Sequence, residues 1–497
     1  MEYIIGIDTG TTNTKAVALS ADGVMLAEYS LPAESLTGLP AGYHEQDPHK
    51  LFDIFIRVLS AILEKTRSHE LKGICLSSAM HSLIAVDDKG RPLTNVMTWA
   101  DLRSIEYAQE LKNNGKGDSI FRRTGAPIHP MLPLCKIMWL KEYCPEVYLS
   151  AAKYIGIKEF FIHQLFGKYI VDHSIASATG LFDLFTQTWC KDALDAAGIH
   201  AGQLSEPVET TYSISGLLPA MAETLGISRH TRFITGASDG CLANPGSGAV
   251  RAGDMALTIG TSGALRMTTT NRSVDEQQNT FTYILSNEFV VSGGPINNGI
   301  SLLKWFSEQF IKQPFQSAED LRMFMARVKT ITPGSAGLIF LPYVNGERAP
   351  VWNAAAKGVF MGLRPQHSIE HMMRAIVEGI CFSLLDVYNS IQENNGNAGR
   401  IFVSGGFIQS AEWLQLLADI FGVKLTIALK TDASAYGAAL LGWHALGNIA
   451  DFGTIDERYF PVQQEIHPDK TNAEVYQKNF SIYKRLYGRL EPEFLQL

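Results

Sequence analysis

Two short turns and one aspartate in this chain have the residue types and spacing to do chemistry. The first turn ends an apolar run, Tyr3 to Ile7, and reads Asp8-Thr9-Gly10-Thr11-Thr12-Asn13-Thr14-Lys15. Successive main-chain N–H groups and threonine hydroxyls offer many donors and no repulsive charge, which suits phosphate oxygens. Asp8, at the strand end beside them, can hold Mg²⁺ through water, because Mg²⁺ favours a carboxylate plus retained waters. Gly260-Thr261-Ser262-Gly263 repeats the turn after Met255 to Ile259, without the acid. Asp239, in Thr235-Gly236-Ala237-Ser238-Asp239-Gly240, directly follows a further apolar strand. A carboxylate there can orient an alcohol and accept its proton during phosphoryl transfer. Each feature alone has an ordinary explanation, a polar hairpin turn or an aspartate before glycine. Two such turns, able to clamp a triphosphate from both sides of a cleft, are far more specific.

The elements that must carry these groups follow from hydrophobic periodicity. After the opening hairpin, Asp22-Gly23 is a strong turn signal and Val24 to Ser30 reads as a third strand. Asp47-Pro48 predicts the N-cap and first position of a helix, with Leu51, Phe55, Val58 and Ile62 on one face. Gly73 to Ser77 and Ser82 to Val86 return as strands. From Met255 the layout begins again. Ile401 to Val403 runs into Ser404-Gly405-Gly406-Phe407, then into a helix with Trp413, Leu416, Leu417 and Ile420 on its apolar face. Ala433 to Leu446 is a small-residue helix. This order predicts an α/β chain of mixed sheets covered by helices. The halves read as diverged copies of one module, residues 1–247 and 248–497, divided near Gly248 to Gly253.

Composition narrows the partners. The 497 residues are enough for more than one core, and a 46% hydrophobic, 19% charged composition is that of a globular protein. A net charge of −8 without a basic cluster argues against nucleic acid and against acidic membrane. No apolar run is long enough to span a bilayer, and Asp8 in the first strand does not fit a signal peptide. Six scattered cysteines without metal-ligand spacing read as reduced thiols of a cytoplasmic protein.

With the twin turns, Gly405-Gly406 ahead of a helix and the Asp239 segment in place, the chain resembles the actin and hexokinase ATPase superfamily. Within it, the resemblance is to the FGGY carbohydrate kinases. Gly358-Val359-Phe360-Met361-Gly362-Leu363 through His371 to Arg374-Ala375-Ile376-Val377-Glu378 fits one family signature, and Met131 to Leu140 resembles the other. The resemblance implies two ribonuclease H-like domains around a cleft, with ATP and Mg²⁺. It implies Asp239 as catalytic base and Asp8 at the metal. Thr11, Thr12, Asn13, Lys15, Gly260, Thr261 and Ser262 would meet the phosphates, and Gly405, Gly406, Gln409 and Ala435 the nucleoside. It also implies a homodimer.

On the sugar side the resemblance implicates Met80 and His81 in Ser77-Ser78-Ala79-Met80-His81-Ser82, and Trp99, Asp101 and Arg103 in the next loop. The competing explanations are a satisfied structural histidine and a solvated Asp–Arg pair. These stretches, with Tyr154 to Glu159 and Gly293-Gly294-Pro295-Ile296-Asn297-Asn298-Gly299, resemble gluconate kinases in particular. The expected reaction is therefore ATP-dependent phosphorylation of the terminal hydroxyl of D-gluconate, with xylulose or another sugar or polyol as the alternative. A C1 carboxylate would want a cation, for which Arg103 and Lys158 are candidates. A nucleotide switch like the heat-shock ATPases, or a filament former like actin, shares the twin turns but needs no small acceptor. Gly346-Glu347-Arg348-Ala349-Pro350 resembles a loop common to sugar kinases and receives no catalytic role.

Overall fold

Alternation along the opening strand, Glu2–Thr9, divides the first half between two layers of core. The computed structural model describes residues 1–428, 432–455, 459–494 and 496–497. Tyr3, Ile5 and Ile7 pack with Leu51, Phe55, Val58 and Ile62 of the helix Pro48–Lys65. Ile4 faces the opposite way, towards the helix Ala433–Ala445. A strand buried on both faces reads as the unbroken apolar run seen in the sequence. Asp47 caps the first helix as expected, its carboxylate accepting from the backbone N–H of His49 (2.9 Å) and Lys50 (3.2 Å).

In the first sheet the order is Ser213–Ile214, Phe233–Ser238, Glu70–Ser78, Glu2–Thr9, Asn13–Ser20, Met25–Pro32. The central three strands, Phe233–Ser238, Glu70–Ser78 and Glu2–Thr9, are parallel, and Asn13–Ser20 and Met25–Pro32 continue antiparallel. The second sheet repeats this wiring with Met255–Ile259 in the role of Glu2–Thr9. Ile401–Ser404 and Leu425–Ile427 lie parallel on one side of it, and Gly263–Thr269 and Val290–Ile296 antiparallel on the other. This is the duplicated ribonuclease H-like module. The strand expected over Ser82 to Val86 shortens to Ile84–Val86 and pairs with Lys153–Ile155 outside the main sheet.

The chain leaves the first sheet along the helix Asp239–Ser247 and enters the second at Met255. That helix crosses Ala433–Ala445 with backbones in direct contact. A Cβ on Gly246 would sit 1.6 Å from the Ala433 carbonyl oxygen, and one on Gly437 would sit 2.0 Å from that of Leu242. The second helix then lies on the first sheet, where Gly6 makes room for Ala435 and Trp443 donates to the Leu19 carbonyl at 3.1 Å. The family-signature residues Arg374 and Glu378 form a buried pair at 2.7 Å in the helix Ile369–Asn395. Glu378 also accepts from Gly334 N–H and the Ser335 hydroxyl, so this signature is scaffold.

Candidate active site

Both turns open onto the same cleft. Asp8 is buried at the end of its strand, where the Ser77 hydroxyl donates to Oδ1 at 2.5 Å. Burial raises its carboxyl well above the usual range, and Asp432 and Asp239 raise it further. Asp239 begins the helix Asp239–Ser247, and its Oδ1 accepts from Gly240 N–H at 2.7 Å. Burial raises its pKa too, opposed by the charge of Arg266. Asp432, which no motif singled out, caps the helix Ala433–Ala445 through the N–H groups of Ser434 and Ala435. Ser434 in turn donates to the carbonyl of Asp239 at 3.0 Å. Three carboxylates from three distant segments thus share one field.

The turn residues take up two arrangements. Thr12 and Asn13 are exposed and Thr11 half-buried, with Gly10 N–H closing the turn on the Asn13 carbonyl at 2.9 Å. Lys15 pairs with Asp8 in the strand ladder but turns its ammonium to Glu28, at 3.7 Å. In the second turn, the carbonyls of Gly260 and Thr261 accept from the N–H groups of Ile300, Gly299 and Ser301, which start the next helix. Gly299 is required there, since a Cβ would sit 2.6 Å from the Gly260 oxygen. Gly405, at φ 98°, backs onto the Ile259 carbonyl, and Gly406 and Gln409 are exposed beside it. Ala435 is different. It is fully buried, its N–H taken by Asp432 and its carbonyl against Gly6, so it does not face a nucleoside.

Beside the turns lies a cavity of about 250 Å³, lined by Met80, His81, Trp99, Asp239, Arg266 and Arg348 among others. Residues from both halves of the chain therefore form one wall. His81 adopts φ 66°, in the left-handed region that few residues tolerate. Its Nδ1 lies 2.6 Å from the Ala178 carbonyl and burial lowers its pKa to about 3. The ring is thus neutral, with Nδ1 protonated and Nε2 free to accept from a sugar hydroxyl. Tyr283, also in the wall, has a buried hydroxyl without a partner among the described residues. Trp99 donates to the Thr11 hydroxyl at 3.4 Å, joining the sugar side to the first turn, and the Arg348 guanidinium lies 4.7 Å from its ring.

Asp101 and Arg103 are not in this wall. Arg103 grips Asp101 with two N–H groups, at 2.8 and 2.7 Å, reaches Glu45 at 2.6 Å and stacks on Tyr43. Asp101 is fully buried and also accepts from His44 N–H. The expectation of sugar contacts is corrected to a buried clasp between two loops. Lys158 is spent in the same way, on Asp172 and the carbonyls of Thr235 and Ala237. Two guanidiniums do line the cavity, Arg266 and Arg348, and the sequence assigned neither of them a role at the site. Arg266 lies six residues after Gly260, and only the alternation of a strand leaving the turn hinted at it.

A family model for the FGGY family of carbohydrate kinases, N-terminal domain, matches residues 3–246, and its C-terminal counterpart matches 255–446. A gluconokinase of Bacillus licheniformis is 38% identical, the alignment spanning 100% of this chain and 97% of the relative. The crystal structure of gluconate kinase from Lactobacillus acidophilus superposes with a TM-score of 0.93 at 35% identity, covering 100% of this chain and 99% of that one. A ligand-bound xylulose kinase from the same organism gives the same score and identity over 100% of both chains.

Proposed function

Since the chain belongs to the FGGY family of carbohydrate kinases, phosphotransferases that move a phosphoryl group from ATP to an alcohol, we propose that it phosphorylates the terminal hydroxyl of D-gluconate to give 6-phosphogluconate. The observation that carries this reading is the joint wall of Asp239, His81, Trp99 and two guanidiniums, acid and cations together beside the phosphate turns. It is supported by full-length similarity to the Bacillus licheniformis gluconokinase.

Asp239 orients the acceptor hydroxyl and takes its proton as the oxygen attacks phosphorus. His81 Nε2 and the Tyr283 hydroxyl hold further sugar hydroxyls, and Trp99 covers C–H surface. The turn residues Thr11, Thr12, Asn13, Gly260, Thr261 and Ser262 donate to the triphosphate, and Lys15 adds charge beside them. Gly405, Gly406 and Gln409 lie where the nucleoside would rest. Asp8, with Asp432 and Asp239 in the same field, fits Mg²⁺. When bound it neutralises charge on the phosphates. Closure of residues 1–247 on 248–497 would exclude water, a competing acceptor. The reading extends to a cytoplasmic homodimer, which sedimentation would test.

Xylulose is the second reading, favoured by the equal match to the Lactobacillus acidophilus xylulose kinase. ADP release measured over a panel of sugar acids, ketoses and polyols decides between them. Gluconate should give the highest kcat/KM. A preference for a ketose would replace the substrate, and turnover without any acceptor would point to a nucleotide switch.

A further inference from the structure

Arg266 stands beside the base. Asp239 and Gly240 open the helix Asp239–Ser247, and a Cβ on Gly240 would meet Arg266 Nε at 3.5 Å and Nη2 at 3.6 Å. Each of the two charged groups is the other's strongest opposite charge. Arg266 opposes the raised pKa of Asp239, and Asp239 opposes the lowering of Arg266 by burial. Both line the cavity. The head of Arg266 therefore lies at the end of the cavity where the acceptor hydroxyl meets the phosphoryl group.

The fold fixes that place from two sides. Asn244, on the helix that carries Asp239, donates from Nδ2 to the Arg266 carbonyl at 3.3 Å and to the Thr268 hydroxyl at 3.1 Å. This ties the strand Gly263–Thr269, which leaves the second phosphate turn, to the element that holds the base. Across the ladder from Arg266 lies Gly293, where a Cβ would meet Arg266 Cα at 2.9 Å and Cγ at 3.0 Å, so only a glycine lets the side chain pass. Arg266 and Asp239 attract through charge, without a hydrogen bond between their side chains. Arg348, the other guanidinium of the wall, has Nε on Asn297 at 2.7 Å and Nη2 on the Ile296 carbonyl at 3.3 Å. The donors of Arg266 have no such hydrogen bond among the described residues, although its charge is balanced.

We propose that Arg266 is a further catalytic residue, whose guanidinium takes the oxygens of the phosphoryl group as it passes from ATP to the acceptor. This rests on the kinase reading above and is independent of which sugar accepts. In the step, the acceptor O–H bond breaks and its proton goes to Asp239 while the acceptor oxygen bonds to phosphorus. The bond from that phosphorus to the bridging oxygen breaks, and its electron pair leaves with ADP. The arriving proton neutralises Asp239, so Arg266 loses its opposite charge as the acceptor oxygen gains a phosphoryl group beside it. A guanidinium already held there transfers its attraction from carboxylate to phosphoryl oxygens, which its planar fork matches in parallel hydrogen bonds. An interaction that strengthens during the step raises kcat rather than affinity for the acceptor.

R266M keeps the length of the side chain and removes its charge. It should cut kcat by roughly 10³-fold with gluconate and with any slower acceptor alike, as expected for a guanidinium lost from phosphoryl transfer, while the acceptor KM changes by less than about 3-fold. Magnesium ADP with aluminium fluoride and gluconate imitates the group in flight, and calorimetry should show that R266M binds this mixture roughly 100-fold more weakly. Titration with ATP alone reports folding and should change little. R266K retains the charge without the fork and should fall between wild type and R266M in both measurements; it carries the test by itself if R266M does not fold. Unchanged binding of the aluminium fluoride mixture overturns the assignment. So does a kcat that returns to the wild-type value at high pH, since Arg266 would then act only by keeping Asp239 ionised. A raised acceptor KM at unchanged kcat would place Arg266 on the sugar instead, with the same consequence. Wild-type enzyme that releases no ADP in response to any acceptor would overturn the functional reading itself, a result separable from these.

Discussion

The ammonium of Lys136 donates to the carbonyl oxygen of His81 at 2.7 Å, and the same buried nitrogen reaches the carbonyl of Thr98 at 2.7 Å. One side chain from the helix Pro133–Tyr143 thus ties the segment carrying Met80 and His81 to the loop carrying Trp99. Its burial lowers the pKa to about 7. The family signature containing Lys136 therefore has a positional reason. K136M should raise the acceptor KM by about 10–100-fold, the effect of loosening a positioned contact, and change the KM for ATP far less. Steady-state kinetics with each substrate varied checks this, and equal effects on both would count against it.

Asp239 should behave as a base whose carboxyl is harder to ionise than a free aspartate, because burial outweighs the attraction of Arg266. The acid limb of kcat/KM should then lie above the free-aspartate value of about 3.9. D239N should cut kcat by about 10²–10⁴-fold while nucleotide still binds. Nearly normal turnover in D239N would remove it from the mechanism.

Asp8 yields a stability prediction with a definite sign. Its folded-state pKa is raised, so the native protein holds a proton that the unfolded chain has already released. Stability contributed by this group therefore falls as pH rises from the unfolded value towards the folded one, and stays low above it. D8N should melt higher than wild type at neutral pH without nucleotide, and the gain should vanish below about pH 4, where both states are protonated. Calorimetry at several pH values measures it, while the same variant should lose activity.

Arg103 should matter for stability and little for sugar affinity. Removing it strands buried Asp101 and empties the stack on Tyr43. Breaking a buried pair costs about 3–5 kcal/mol. R103A should lower Tm clearly, with the acceptor KM of the remaining folded enzyme near wild type. A large rise in KM at unchanged Tm would return Arg103 to the sugar site.

The local elements were readable because they rest on short-range rules. Alternation exposed the strands, Asp47-Pro48 marked a helix start, and the repeated glycine–hydroxyl turns revealed the duplicated module. Family motifs marked Asp239, and the structure brings it to Met80, His81 and Trp99 in one cavity wall. The places of Asp101, Arg103 and Ala435 away from the cavity wall were not legible, because sequence shows a residue's type and neighbours but not which partner claims its polar atoms.

By itself, then, the order of residues determined the kind of chemistry: an acid after a strand and two donor-rich corners for phosphate. Only the folded chain decided which charges stay available. Arg103 meets Glu45 and Asp101 and Lys158 meets Asp172, whereas Arg266 stays in the cavity wall, where its charge opposes the raised pKa of Asp239. The reason is that burial makes an unpaired charge costly, and the partner that relieves it comes from a distant segment that only tertiary packing delivers.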